Sequence, residues 1–248
     1  MDSLNRYLIV DPVGGTAGDM WLAALVDLGV PWDDLVEALS ALPISGYKMD
    51  YEQVTVQGIN CSRVKVYLDE EPQPHRHLHH IVKIIEESTL DGKVKEQSIA
   101  VFTRLAEAEA KVHGTTIEKV HFHEVGAVDA IVDIVGTVWA LHKLEIDEVY
   151  CLPLPLGSGT VRCAHGLMPV PAPATAELVK NFPVRIGVGE GELVTPTGAA
   201  LCTTLGKPLE PQESTSWLIE KNGYGAGLRP SKSRPNLMRL MLAKKKSL

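Results

Sequence analysis

Apolar and polar positions change rhythm several times along this chain. Arg6 to Asp11, RYLIVD, is a short aliphatic run that predicts a buried strand, and a turn rich in small residues, PVGGTAG, follows it. From Gly18 the segment GDMWLAALVDLGV has helical spacing and stops at Gly29, and Pro31 opens a second helix, PWDDLVEALSAL. Between Tyr47 and Leu68 apolar and polar residues alternate around Gly58, the signature of a β-hairpin. The polar, Pro-flanked EEPQPHRHLHH reads as a His-rich loop over residues 71–80 that runs into a helix. Helical spacing continues in IVKIIEES, in VKEQSIAVFTRLAEAEAKVHG and in AVDAIVDIVGTVWALHKL, the last apolar over a broad face.

Downstream, DEVYCL predicts a strand and PLPLGSGTVRCAHGLMPVPAP a Pro/Gly-rich connection. A short helix, ATAELVKN, a strand-like VRIGVG and a helix after a Thr/Pro/Gly turn, TPTGAALCTTLG, come next. SWLIEKNGYGAG and NLMRLMLA read as terminal strands, with Gly223, Gly225 and Gly227 making a flexible loop that carries Arg229 and Arg234, and KKKSL reads as a frayed end. Strands and helices interleave irregularly and include a hairpin. The expected class is therefore α+β, a mixed sheet with helices packed on it, in a single domain over residues 1–248.

Composition narrows the function. A net charge of -7 argues against broad affinity for nucleic acid or an anionic membrane, though not against a local cationic pocket. The N-terminus lacks the basic-then-apolar pattern of a signal peptide, and no apolar run reaches the length of a membrane span. The cysteines at 61, 151, 163 and 202 are scattered with no CxxC pair, which reads as reduced thiols in a cytoplasmic protein.

Several constellations have residue types suited to chemistry. In VDPVGGTAGDM, Gly15 and Gly18 let backbone N–H groups approach an anion, Thr16 adds a hydroxyl, and Asp11 or Asp19 suits a divalent cation; a tight strand-to-helix turn is the bland alternative. His75, His77, His79 and His80 put four imidazoles within six positions, which suits capture of nickel, copper or zinc, unless the tract is only a solvated loop. In KVHFHEVGAVDAIVDIVG, an extended HFH would point His121 and His123 to one face, Glu124 lies at the turn, and Asp129 and Asp133 share a helix face. Such a set holds a divalent metal or supplies a general base, and two carboxylates in an apolar helix are expensive to bury without a partner. Arg162 suits a phosphate, while Cys163 and His165 are nickel-compatible ligands. Thr195, Thr197 and Gly198 make a second phosphate seat or a plain helix cap.

Taken in order, GTAGDM, the His-rich loop, VHFHEVGAVDAIVDIVG, PLPLGSGTVRCAHGLMPVPAPATAELV, ELVTPTGAA and a terminal GYGAG with RPN resemble the nickel-insertion proteins of LarC type over nearly the whole chain. The resemblance implies a lyase-class nickel chelatase or cyclometallase. Its reaction inserts nickel into pyridinium-3,5-bisthiocarboxylic acid mononucleotide to make the nickel-pincer cofactor, with CTP hydrolysed and manganese or magnesium assisting. A carbon–nickel bond forms, so a base must take a ring proton. His121, His123, Glu124, Asp129 and Asp133 are the residues among which that base and the metal ligands are sought, with the substrate phosphate near Gly15, Thr16 and Gly18 or near Thr197 and Gly198. The resemblance also implies a further C-terminal region that binds CTP, supplied here by a partner polypeptide, and a homo-oligomer is expected. One departure is that no Cys or aromatic residue stands near Asp11, where many relatives are expected to have one. Two other function classes compete: a non-catalytic module that binds and delivers nickel, and a magnesium-dependent phosphate-ester enzyme.

Overall fold

The computed structural model describes residues 5–69, 76–120, 122, 127–163, 166–210, 215–229 and 234–247. The first strand, β1 (Tyr7–Asp11), lies inside a seven-stranded mixed sheet. On one side it pairs in parallel with β4 (Glu148–Cys151), which pairs in parallel with β11 (Gly206–Pro208). On the other side lies β13 (Leu237–Ser247), antiparallel to β1 and to β12 (Thr215–Ala226); β3 (Ile59–Leu68) runs parallel to β12, and β2 (Tyr47–Val56) closes the edge antiparallel to β3. The architecture is α+β, with the expected mixed sheet and hairpin.

Local sequence explains the hairpin. Gln57 and Gly58 have φ of 49° and 85°, the two positive values that match a two-residue turn to the right-handed twist of its strands. A Cβ at Gly58 would meet nothing within 4 Å, so only backbone conformation opposes substitution. Gly58→Val is expected to cost about 1–2 kcal/mol of stability in urea unfolding, with the native fold retained.

Helices α1 (Gly18–Leu28), α2 (Trp32–Ser40), α3 (Leu78–Glu87), α4 (Gly92–His113), α5 (Val128–Lys143), α6 (Pro173–Leu178) and α7 (Pro196–Leu205) follow the predicted segments closely. Helix α1 lies on β12, β3 and β13, and α4 packs across α3, α5, α6 and α7. The core between helices and sheet is built from Leu8, Val10, Trp21, Leu22, Phe102 and Leu240 among others. Eleven of the sixteen residues of α5 are buried, in keeping with its broad apolar face.

Three expectations need correction. The supposed connection after β4 is folded into β5 (Leu154–Pro155), β6 (Gly157–Ser158) and a β7–β8 hairpin (Thr160–Cys163 with Gly166–Pro169). Strand β9 (Val184–Arg185) pairs with β5, and β10 (Gly191–Glu192) pairs with β6. Gly223 and Gly225 belong to β12 rather than to a flexible loop, because α1 lies so close that a Cβ at Gly225 would stand 2.1 Å from the Met20 carbonyl oxygen. The basic tail is not frayed either: Lys244, Lys245 and Lys246 pair with Leu218, Trp217 and Ser216 in the β12–β13 ladder.

Candidate functional site

The ends of several elements meet around one cavity of about 390 Å³. Helices α1, α5, α6 and α7 turn their first residues to it, α4 its last turns, and the β7–β8 hairpin contributes Arg162, Cys163 and Met168. Helix starts have unpaired N–H groups and positive partial charge, so the cavity is surrounded by dipoles that favour negative groups.

Asp19 and Asp129 exploit this. Each is the second residue of its helix, and each Oδ1 accepts a hydrogen bond from the next backbone N–H, Met20 and Ala130, at 2.9 Å. Burial nevertheless pushes the Asp19 carboxyl up to about 6, against those backbone hydrogen bonds and the charges of Arg229 and Arg63. Asp129 is raised by burial as well. One turn into α5, Asp133 is largely buried and held well above the ordinary carboxylate range by burial first and then by the charges of Asp19 and Asp129. Its Oδ1 is buried and has no hydrogen-bond partner among the described residues. Gly18 makes this approach possible, since a Cβ there would lie 2.3 Å from Asp133 Oδ2.

The rest of the lining has mixed charge. Glu109 and His113, four apart near the end of α4, form a pair at 3.4 Å, and Glu192 stands 4.0 Å from Arg229. Thr195 caps α7 by accepting the Gly198 N–H at 3.2 Å, and Thr197 lies one residue into the first turn. One cavity therefore combines buried carboxylates with two guanidinium groups and hydroxyls.

The structure thus brings together Gly18, Asp129, Asp133, Arg162, Cys163, Thr195 and Thr197. It does not bring Gly15, Thr16 or Gly198 to the lining. Thr16 is fully buried, its Oγ1 accepts the Trp21 indole N–H at 3.1 Å, and its carbonyl accepts Thr195 N–H. Gly15 lies under Leu193, whose oxygen would be 2.0 Å from an added Cβ, and a Cβ at Gly198 would lie 2.3 Å from the Thr16 carbonyl oxygen. The N-terminal turn is a buried crossing of two segments, not an open phosphate loop. Asp11 is ion-paired with Arg239 and takes no part in the cavity.

His75, His121, His123, Glu124 and His165 lie outside the described residues. His77, His79 and His80 form a compact group, with ring centroids 4.0–5.6 Å apart. They are not all in a loop. His77 caps α3 and its N–H donates to His80 Nδ1 at 3.1 Å, while His77 Nδ1 donates to the Val120 carbonyl at 2.9 Å. Arg76 and Phe122 form a backbone bridge, so the His-rich segment is tied to the HFHE segment.

A nickel insertion protein family model matches residues 8–248. The chain belongs to this family. Relatives from Geobacter metallireducens (50% identical over 96% of the chain), Geotalea uraniireducens (49% over 98%) and Myxococcus xanthus (48% over 97%) all carry names that assign them to nickel insertion. The chain spans only about 60% of the length of these relatives. No solved structure matches it.

For a nickel insertion protein, the carboxylate geometry has a further property. Among the described residues, no three His, Cys, Asp or Glu side chains already form a metal-holding group. No helix among them is long and apolar enough to cross a membrane. Sequence reasoning missed Glu109, His113 and Glu192. The spacing of Glu109 and His113 is a helical pair and was a usable signal, but nothing local marks Glu192.

Proposed function

We propose that this chain forms the nickel- and substrate-holding part of an enzyme that inserts nickel into a small phosphorylated organic acceptor. The acceptor is pyridinium-3,5-bisthiocarboxylic acid mononucleotide, and CTP with manganese or magnesium acts in a further region of the protein. The observation that carries this reading is Asp133, largely buried beside two more carboxylates and with no partner for Oδ1 among the described residues. A divalent cation offsets that burial cost better than any neutral occupant. The mixed lining supports the rest: carboxylates for the metal and a cationic ring, and Arg162, Arg229 and the start of α7 for a phosphate.

Among the described residues no complete ligand set is formed. A closed tetrahedral or octahedral protein site would retain nickel, whereas a partial site lets the acceptor's own donors finish the coordination sphere. His121, His123, Glu124 and His165 remain the candidates for the missing ligands and for the base that takes the ring proton. The imidazole group at His77, His79 and His80 captures nickel before transfer. That group also favours the second reading, a delivery module without catalysis.

The test is nickel insertion by the chain together with the C-terminal region of the family, followed by mass spectrometry of the product. His77, His79 and His80 changed together to Ala are expected to raise the nickel concentration needed about tenfold and to leave the rate at saturating nickel intact. His121→Ala or His123→Ala is expected to abolish the product. Full product formation by both would remove them from the site, and nucleotide hydrolysis by this chain alone, indifferent to nickel, would favour the phosphate-ester reading.

A further inference from the structure

Helices α1 and α7 belong to different parts of the packing. Helix α1 lies mainly on β12, β3 and α5, whereas α7 lies mainly on α4 and α6. Yet the start of each lines the same cavity, with Gly18 and Asp19 from α1 and Thr195, Pro196 and Thr197 from α7. The carboxylates go with α1, because Gly18 is pressed against Asp133 of α5. Some contact must therefore set the distance between the acidic part of the cavity and the start of α7.

Thr16 makes that contact. It is fully buried, and each of its polar atoms reaches a neighbour. Its N–H donates to the Leu193 carbonyl at 2.8 Å, and its own carbonyl accepts the Thr195 N–H at 3.1 Å, so Thr16 and Val194 form a parallel bridge. Its Oγ1 accepts the indole N–H of Trp21, a fully buried residue of α1, at 3.1 Å and stands 3.9 Å from Cys202 Sγ on α7. One residue thus joins both helices, through main chain and side chain together.

Gly198 removes the remaining slack. A Cβ there would lie 2.3 Å from the Thr16 carbonyl oxygen and 2.9 Å from the Ala17 nitrogen, and one at Gly15 would lie 2.0 Å from the Leu193 oxygen. These neighbours are all main-chain atoms, which cannot turn aside as a side-chain tip can. The two helix starts are held at closest backbone approach, three residues from Asp19 on one side and one residue from Thr197 on the other.

We propose that Thr16 and Gly198 are positioning residues that fix the span between the carboxylates and the start of α7, and so select an acceptor whose metal-binding group and phosphate lie that same distance apart. This rests on the reading of the cavity given above. A ligand with two binding groups on a stiff frame gains from both only when their separation matches that of the protein groups. Neither residue lines the cavity, so a change in the span leaves the chemistry of each end as it was. Small ligands that use one end are then spared, and the ligand that joins both ends is penalised.

The test compares three ligands on this chain by titration calorimetry: nickel alone, inorganic phosphate alone and the acceptor mononucleotide. Gly198→Ala is expected to weaken the acceptor about tenfold and to leave nickel and phosphate as in wild type. Thr16→Val keeps the branched shape without the hydroxyl and is expected to give a smaller loss in the same sense. Thr16→Ser is expected to bind all three as wild type does. If Gly198→Ala does not fold, Thr16→Val decides. A merely structural role would lower the fraction of active protein and leave every dissociation constant alone. Wild-type affinity for the acceptor in the folded variants, or an equal loss of all three ligands, would overturn the assignment while the functional reading stands. If wild type itself takes up neither nickel nor the acceptor, the functional reading fails and the assignment with it.

Discussion

Asp133→Asn is expected to make the metal-free protein more stable and at the same time to end nickel uptake in the cavity. The wild-type carboxyl has no partner for Oδ1 among the described residues and faces the charges of Asp19 and Asp129. The amide leaves a polar atom in that place but removes the charge, so the gain appears where the wild-type carboxyl ionises against burial and its neighbours. The effect depends on pH, with a sign that follows from the raised carboxyls. A carboxyl whose folded-state pKa lies above its unfolded value binds its proton more tightly in the native state, so stability is greatest at low pH and falls as pH rises. For Asp19 the loss runs from the ordinary 3.8 up to about 6, which corresponds to about 3 kcal/mol. Asp133 adds a loss in the same direction. Urea unfolding at pH 5 and pH 8 should therefore show wild type losing stability toward pH 8, and Asp133→Asn losing less of it. Added nickel should stabilise wild type most at the higher pH and leave the variant unmoved. A variant less stable than wild type at pH 8, or one still stabilised by nickel, would refute this account of the cavity.

Gly225→Ala should be the most damaging single-methyl substitution in the sheet. The added carbon would lie 2.1 Å from the Met20 carbonyl oxygen and 2.6 Å from the Ala24 nitrogen, both backbone atoms of α1. Neither can swing away as a side-chain tip would, so the helix must lift. The expected cost is about 3 kcal/mol, the upper range for overpacking a close-packed contact. The damage should also reach the site, because Met20 follows Asp19 directly. Thermal melting together with nickel titration measures both effects. A melting temperature within a degree of wild type would show that α1 has room the close contact denies. Gly223→Ala should go the same way, with Ala24 oxygen 2.4 Å from the new carbon.

These two positions also illustrate what a sequence makes visible. Gly225 looks like a loop residue in NGYGAG because the reason for it, a helix from the other end of the chain, is 200 residues away. The helices were legible because each carries its own 3.6-residue apolar period and recognisable ends, such as Gly29 after α1 and Pro196 at the start of α7. The two-residue strands β5, β6, β9 and β10 carry no period that a local pattern could register. In the site, Asp129 and Asp133 were legible as a helical pair with no apolar reason to be there. The misreading of Thr16 has the opposite cause. Its hydroxyl and carbonyl are engaged by Trp21 and Thr195, and the second contact depends on a chain crossing that small residues permit but do not announce.

The position of β13 bears on the order in which the molecule assembles. The last strand is inserted between the first strand and β12, so a chain emerging from the ribosome cannot finish its sheet until its final described residues are free. Helix α1 rests on β12 and β13, and Asp19 stands at its start, so the acidic cavity must wait for the same event. The imidazoles on α3 need no such closure. If the proposed function holds, a nickel ion would therefore find a place to be collected during synthesis well before it finds a place to be used.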